Sequence, residues 1–311
     1  MNPLAGRDIL SITDLTKEEM EQVLDQAARF AQALAQGQRL DLLSGRILAT
    51  LFYEPSTRTR LSFESAMHRL GGAVISVAQG RLSSSAAKGE TVADAARVVA
   101  GYADVIVQRH PAIGSAQEAA DAADVPVINA GDGAGEHPTQ ALLDLYTIRR
   151  EKGRLDGLHV GLVGDLKYGR TVHSLARALA HWSVTMTFVA PPSLAMPAEI
   201  TAALREQGCT VHETTDLRAA AQVCDVLYVT RIQKERFADP DEYRALRGSY
   251  VVDRALVEAA KPGITIMHPL PRVDEIARDV DPLPNAAYFR QAHNGVPVRM
   301  ALLALVLDAV S

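Results

Sequence analysis

Seven consecutive residues, Glu54-Pro55-Ser56-Thr57-Arg58-Thr59-Arg60, place three hydroxyls and two guanidinium groups together just after an apolar run. The run Ile47–Tyr53 predicts a strand, and Ser56–Leu70 predicts a helix with Phe63, Met67 and Leu70 at core spacing. Ser56 is a good N-cap, and Pro55 discourages an earlier helix start. The first turn of such a helix offers backbone N–H groups and the positive end of its dipole, and Arg58 adds a two-pronged donor. That combination suits a phosphate. One isolated Ser or Thr here would read as a capped helix beside solvated arginines; the Ser-Thr-Arg-Thr-Arg run after a strand favours the anion site.

Four further segments have polar groups at corresponding places. Arg109-His110-Pro111 follows the predicted strand Val105–Gln108; alone, Arg109 reads as a surface arginine. His137-Pro138-Thr139-Gln140 opens a helix running to Arg150, with Pro at its first position. His137 can donate to a carbonyl oxygen and Gln140 can accept from an amide NH2, although a capping His is the simpler local reading. Ser83-Ser84-Ser85-Ala86-Ala87-Lys88-Gly89-Glu90 has the composition of a polar surface loop. In the second half, Arg170, Arg231 and Arg272 each follow a strand end, which suits a dicarboxylate. Gly161-Leu162-Val163-Gly164 lacks the complete glycine fingerprint of a dinucleotide site.

The elements that must position these loops alternate throughout. Strands are expected at 73–77, 125–129, 159–163, 184–189, 226–229 and 264–267, and helices at 91–102 and 116–123. This alternation predicts βαβ units: an α/β protein of two domains, each a parallel sheet flanked by helices. The expected division is 1–133 plus a returning C-terminal helix 292–311, and 134–291. Gly295 and Pro297 are expected to break that last helix. Ligands of such sheets sit at the carboxyl ends of the strands, where these loops lie.

Bulk properties exclude several classes. The chain has 311 residues, 48% hydrophobic and 22% charged, ordinary for a globular protein of two domains. A net charge of −5 argues against a general nucleic-acid binder. The run Ala301–Val310 is too short to span a bilayer and includes Asp308, so no membrane partner is expected. Arg7 and Asp8 stand where a secretory leader would be apolar, so a cytoplasmic location is expected. Cys209 and Cys224 read as two buried reduced thiols, without the spacing of a zinc site.

Read in order, these loops resemble the carbamoyltransferase family. Ser56–Arg60 and His137–Gln140 resemble its carbamoyl phosphate signatures. Arg231-Ile232-Gln233-Lys234-Glu235-Arg236 and His268-Pro269-Leu270-Pro271-Arg272 resemble the aspartate branch, and Gln291–Arg299 extends the likeness. The ornithine branch carries Ser-Met-Gly and His-Cys-Leu-Pro segments that are absent here.

The resemblance implies roles for individual residues. Ser56, Thr57, Arg58 and Thr59 hold the phosphate of carbamoyl phosphate. Thr59, Arg109 and His137 face its carbonyl oxygen. Gln140 and the backbone carbonyls of Leu270 and Pro271 hold its NH2 group. Arg170, Arg231 and Gln233 bind the carboxylates of L-aspartate. Ser84 and Lys88 come from a neighbouring copy in a homotrimer with shared active sites, Lys88 touching both substrates. No metal or cofactor is implied. A regulatory chain or a dihydroorotase is a further partner for some members of the family. The rival expectations are an ornithine-type carbamoyltransferase and a non-catalytic paralogue.

Overall fold

The computed structural model describes residues 2–78, 88–232, 246 and 248–310. The chain forms two compact units: Met1–Tyr146 with Asn294–Ser311, and Thr147–His293. The boundary, expected at 133/134, instead falls inside a helix, Pro138–Lys152, and the second crossing falls inside Tyr288–Val306. Both crossings are made by continuous helix, and the glycine-rich stretch that suggested a break belongs wholly to the first unit.

Unit 1 carries a four-stranded parallel sheet of β1 (Ile47–Phe52), β2 (Ala73–Ala78), β3 (Val105–His110) and β4 (Val127–Asp132), in the order β2-β1-β3-β4. Its central strands are near-continuous apolar runs, as expected of strands covered on both faces, whereas β2 at the edge is largely exposed. Its helices are α1 (Lys17–Ala35), α2 (Thr57–Arg69), α3 (Val92–Ala100), α4 (Ser115–Ala122) and α5 (Pro138–Lys152), the last running on into unit 2.

Unit 2 carries β5 (His159–Val163), β6 (Thr185–Val189), β7 (Thr210–Thr214), β8 (Val226–Val229) and β9 (Thr265–Met267), all parallel, in the order β7-β6-β5-β8-β9. Its helices are α6 (Arg170–Leu179), α7 (Ala198–Glu206), α8 (Leu217–Val223) and α9 (Arg254–Glu258). Val163, Leu227, Ile266 and Tyr288 belong to one buried cluster of this unit.

The last helix, α10 (Tyr288–Val306), runs unbroken through Gly295 and Pro297, contrary to the expected break. Pro297 costs the helix one N–H, but Val298 and the run Met300–Val306 are buried, and their packing holds the turn. Cys224 is buried as expected; Cys209 is only partly so, because it follows the exposed end of α7. Among the described residues no helix is long and apolar enough to cross a membrane.

Strand order decides where ligands go. In unit 1 the chain leaves β1 for β2 on one side and then crosses to β3 on the other. In unit 2 it builds β5-β6-β7 in one direction and returns to place β8 against β5. Crevices open at the carboxyl ends of the strands where the order reverses. The loops after β1 and β3, and after β5 and β8, flank those two points.

Candidate active site

In unit 1, α2 begins immediately after the β1 loop. Ser56 is its N-cap residue, but the expected side-chain cap is absent: φ −157° and ψ 87° turn the backbone so that the hydroxyl makes no capping bond. The first turn contains no acidic residue, so its N–H groups and the helix dipole remain available to an anion. Thr59 is buried in that turn, while Thr57 and Arg58 are exposed. Desolvation draws the Arg58 guanidinium below its ordinary range. Arg60 points elsewhere, pairing with Glu64 at 3.3 Å and donating to Ser76 at 3.2 Å, which ties α2 to β2.

Arg109 reaches the same region from β3. The strand register sets Phe52 beside Arg109, so Glu54, two residues on, meets its guanidinium with 3.4 Å between Oε2 and Nε. Nη1 donates to the carbonyl of Ala130 at 3.3 Å. These contacts aim a side chain whose relative exposure is only 14%.

His137 and Gln140 open α5 and are buried, at 3% and 9% exposure. The Gln140 Nε2 donates to Asp144 Oδ1 at 2.9 Å, one turn along. That bond orients the amide and leaves Oε1 as its acceptor. Glu54 and Asp144 were not singled out for these positioning roles from sequence. The signals were present: an acidic residue just past a strand paired with Arg109, and an i,i+4 partner for Gln140.

In unit 2, Arg170 is the first residue of α6 and Arg231 follows β8; both are half-buried. Arg231 lines a cavity of about 40 Å³ with Gly164, Thr230, Tyr250 and Glu275. Gly164 has φ +114°, and a Cβ there would collide with the carbonyl of Thr230. The glycine of Gly161–Gly164 therefore lets the ends of β5 and β8 close on one another, a packing role.

The loop after β9 is held by His268. Its Nδ1 accepts from the Leu270 N–H at 2.8 Å, so the proton is on Nε2, which donates to Glu275 at 2.7 Å. Leu270 has φ 55°, an unusual conformation for a branched residue that this hydrogen bond helps to hold. Burial is the largest single influence on Glu275 and opposes its ionisation, but the His268 bond and charge and two backbone N–H bonds together keep the carboxyl below the usual range.

Arg272 corrects an expectation. It does not join Arg170 and Arg231 as a binding arginine, because Asp281 takes both guanidinium prongs, with 2.6 Å from Nη2 to Oδ2, and Tyr288 also contacts it. Leu270 and Pro271 thus sit between two anchors. Lys88 is exposed; Ser84 and Gln233 lie outside the described residues.

Comparison with known proteins matches both halves. Residues 7–150 match the carbamoyl-P binding domain of aspartate/ornithine carbamoyltransferases, and residues 156–306 match the Asp/Orn binding domain. The aspartate carbamoyltransferase catalytic subunit of Thermococcus onnurineus is 58% identical over 305 residues, 98% of each chain. That of Methanopyrus kandleri is 56% identical over 308 residues, 99% of each. Among solved structures, the catalytic subunit of M. jannaschii aspartate transcarbamoylase superposes with a TM-score of 0.91 at 54% identity, covering 97% of this chain and 98% of that one. The Trypanosoma cruzi aspartate transcarbamoylase, in complex with carbamoyl phosphate and aspartate, gives a TM-score of 0.94 at 42% identity, covering 98% of each. With both domains matched in order and nearly every residue aligned, the chain belongs to the aspartate/ornithine carbamoyltransferase family.

Proposed function

We propose that this chain is an aspartate carbamoyltransferase catalytic chain. It transfers the carbamoyl group of carbamoyl phosphate to the amine of L-aspartate, giving N-carbamoyl-L-aspartate and phosphate, an early step of pyrimidine nucleotide synthesis. The observation that carries the reading is near-full-length identity of 58% to a protein of that name. The site residues support it.

Ser56, Thr57, Arg58 and Thr59 bind the phosphate at the first turn of α2. Thr59, Arg109 and His137 donate to the carbonyl oxygen. Gln140 Oε1 and the carbonyls of Leu270 and Pro271 accept from the NH2 group. Arg170, Arg231 and Gln233 bind the two carboxylates of aspartate. Ser84 and Lys88 serve the site of a neighbouring copy in a cytoplasmic homotrimer.

The aspartate amine attacks the carbonyl carbon, and negative charge gathers on the carbonyl oxygen. Donors already aimed at that oxygen lower the barrier; one such donor is worth about 10²–10³ in rate. The C–O bond to phosphate then breaks, and the leaving phosphate accepts the proton shed by the amine. Arg58 and the helix terminus stabilise the departing dianion. No covalent enzyme intermediate is required.

The test is direct. Purified chain, given carbamoyl phosphate with L-aspartate or with L-ornithine, should form carbamoyl aspartate alone, and its mass in solution should be that of three chains. Carbamoylation of ornithine in preference to aspartate would overturn the reading.

A further inference from the structure

The Gln291–Arg299 segment has no part in the chemistry above, yet it contains a buried cation. Arg299, on α10, is 3% exposed. Its Nη1 donates to Ser62 Oγ at 2.8 Å and its Nη2 to Thr139 Oγ1 at 3.4 Å. Its guanidinium carbon lies 5.0 Å from the centre of the Phe63 ring. Among the described residues its Nε finds no acceptor. Burial draws the guanidinium down to about 9, against the opposing pull of Asp144.

The contacts of Arg299 lead to both anion-binding elements of unit 1. Ser62, which accepts from Arg299, donates to the carbonyls of Arg58 at 2.6 Å and Thr59 at 3.0 Å. Thr139 stands between His137 and Gln140, and Asp144 holds the Gln140 amide. The space for the guanidinium is kept by Gly295, where a Cβ would run into Nη1.

We infer that Arg299 is a positioning residue for carbamoyl phosphate: its buried guanidinium ties the first turns of α2 and α5 together and keeps a fixed positive charge behind them. The inference rests on the carbamoyl phosphate reading above. A stabilising role alone fits poorly. A buried cation carries a desolvation cost, and an apolar residue of similar size in its place is often neutral or stabilising. The group costs stability that the bound anion, not the fold, makes use of.

The Arg299→Met variant separates the two roles. Its thermal midpoint should equal or exceed that of the parent. Its affinity for carbamoyl phosphate, measured by calorimetry, should fall by about 10- to 100-fold, the scale of a charged hydrogen bond. The KM for carbamoyl phosphate should rise more than kcat falls, and Arg299→Lys should recover part of the affinity. An Arg299→Met chain that binds carbamoyl phosphate within about twofold of the parent, or loses affinity only in step with its midpoint, overturns the inference. Should that variant fail to fold, Ser62→Ala decides: it removes the relay and keeps the charge. Its affinity should fall by about fivefold or more, and unchanged affinity overturns the inference. A parent chain that does not bind carbamoyl phosphate overturns the functional reading itself, whatever Arg299 does.

Discussion

On the proposed reading, the two units prepare for anions by different means. Unit 1 uses groups that are already held: the first turn of α2, Arg109 braced by Glu54, and the buried His137 and Gln140. Unit 2 offers half-buried arginines, Arg170 and Arg231, at strand ends, and keeps its third, Arg272, for Asp281. Held groups are aligned before the reaction and can act on charge that develops in the transition state. Long, partly exposed side chains must be ordered on binding, so they select a ligand more than they drive chemistry. The same physics separates donors that accelerate a step from donors that choose a substrate.

The largest test of this contrast is Arg109→Ala, at the guanidinium braced by Glu54. It should lower kcat by about 10³-fold, with folding unchanged by circular dichroism; a variant defective only in KM would place unit 1 among the recognition elements. Arg231→Ala should raise the KM for aspartate by about 10- to 100-fold with a smaller change in kcat, the scale of a lost charged hydrogen bond. Steady-state kinetics in each substrate distinguish the two patterns. Mixing inactive Lys88→Ala chains with inactive Arg58→Ala chains should restore some activity, because some sites would then combine two intact contributions. No recovery after verified subunit exchange would count against a shared site.

A smaller contrast concerns acid. Asp281 in unit 2 is held below the usual carboxylate range by its hydrogen bond to Arg272. Glu275 is lowered too: burial pushes it up, but its contacts with His268 and with backbone N–H groups together outweigh that. Such groups add stability above their unfolded values near pH 4, and that stability is lost as pH falls through the depressed folded values. Asp8 in unit 1 is shifted the other way, raised by burial, so its contribution becomes more favourable as pH falls. Hydrogen exchange at stepwise lower pH should therefore show amides of unit 2 losing protection before those of unit 1. The reverse order would be inconsistent with these carboxylate contacts being the acid-labile elements.

Much of this was legible in the sequence because the chemistry sits where strands end. The apolar runs of β1, β3, β5 and β8 locate their own carboxyl ends, and the polar residues that follow them face the switch points of the sheets. What escaped depends on tertiary packing. Ser56 has the composition of a cap, but its backbone angles deny it the bond. Arg272 has the spacing of a binding residue, and only the fold brings Asp281 to it. The unit boundary falls within α5 because packing, not a glycine-rich break, defines a compact body. Arg299 becomes meaningful only once α10 is placed against Ser62 and Thr139.

The Asp144 contact to Gln140 has an outcome beyond orientation. With one amide N–H bonded to Asp144, Gln140 has its oxygen as its one acceptor for whatever group occupies that corner. A carbamoyl nitrogen satisfies that oxygen, whereas the methyl of acetyl phosphate fills nearly the same volume and donates nothing. A buried acceptor left unmet costs about 1–3 kcal/mol, so the protein should favour carbamoyl over acetyl transfer by roughly 5- to 150-fold in kcat/KM at this contact. Gln140→Met should narrow that preference; a preference unchanged in the variant would mean that the choice of donor is made elsewhere.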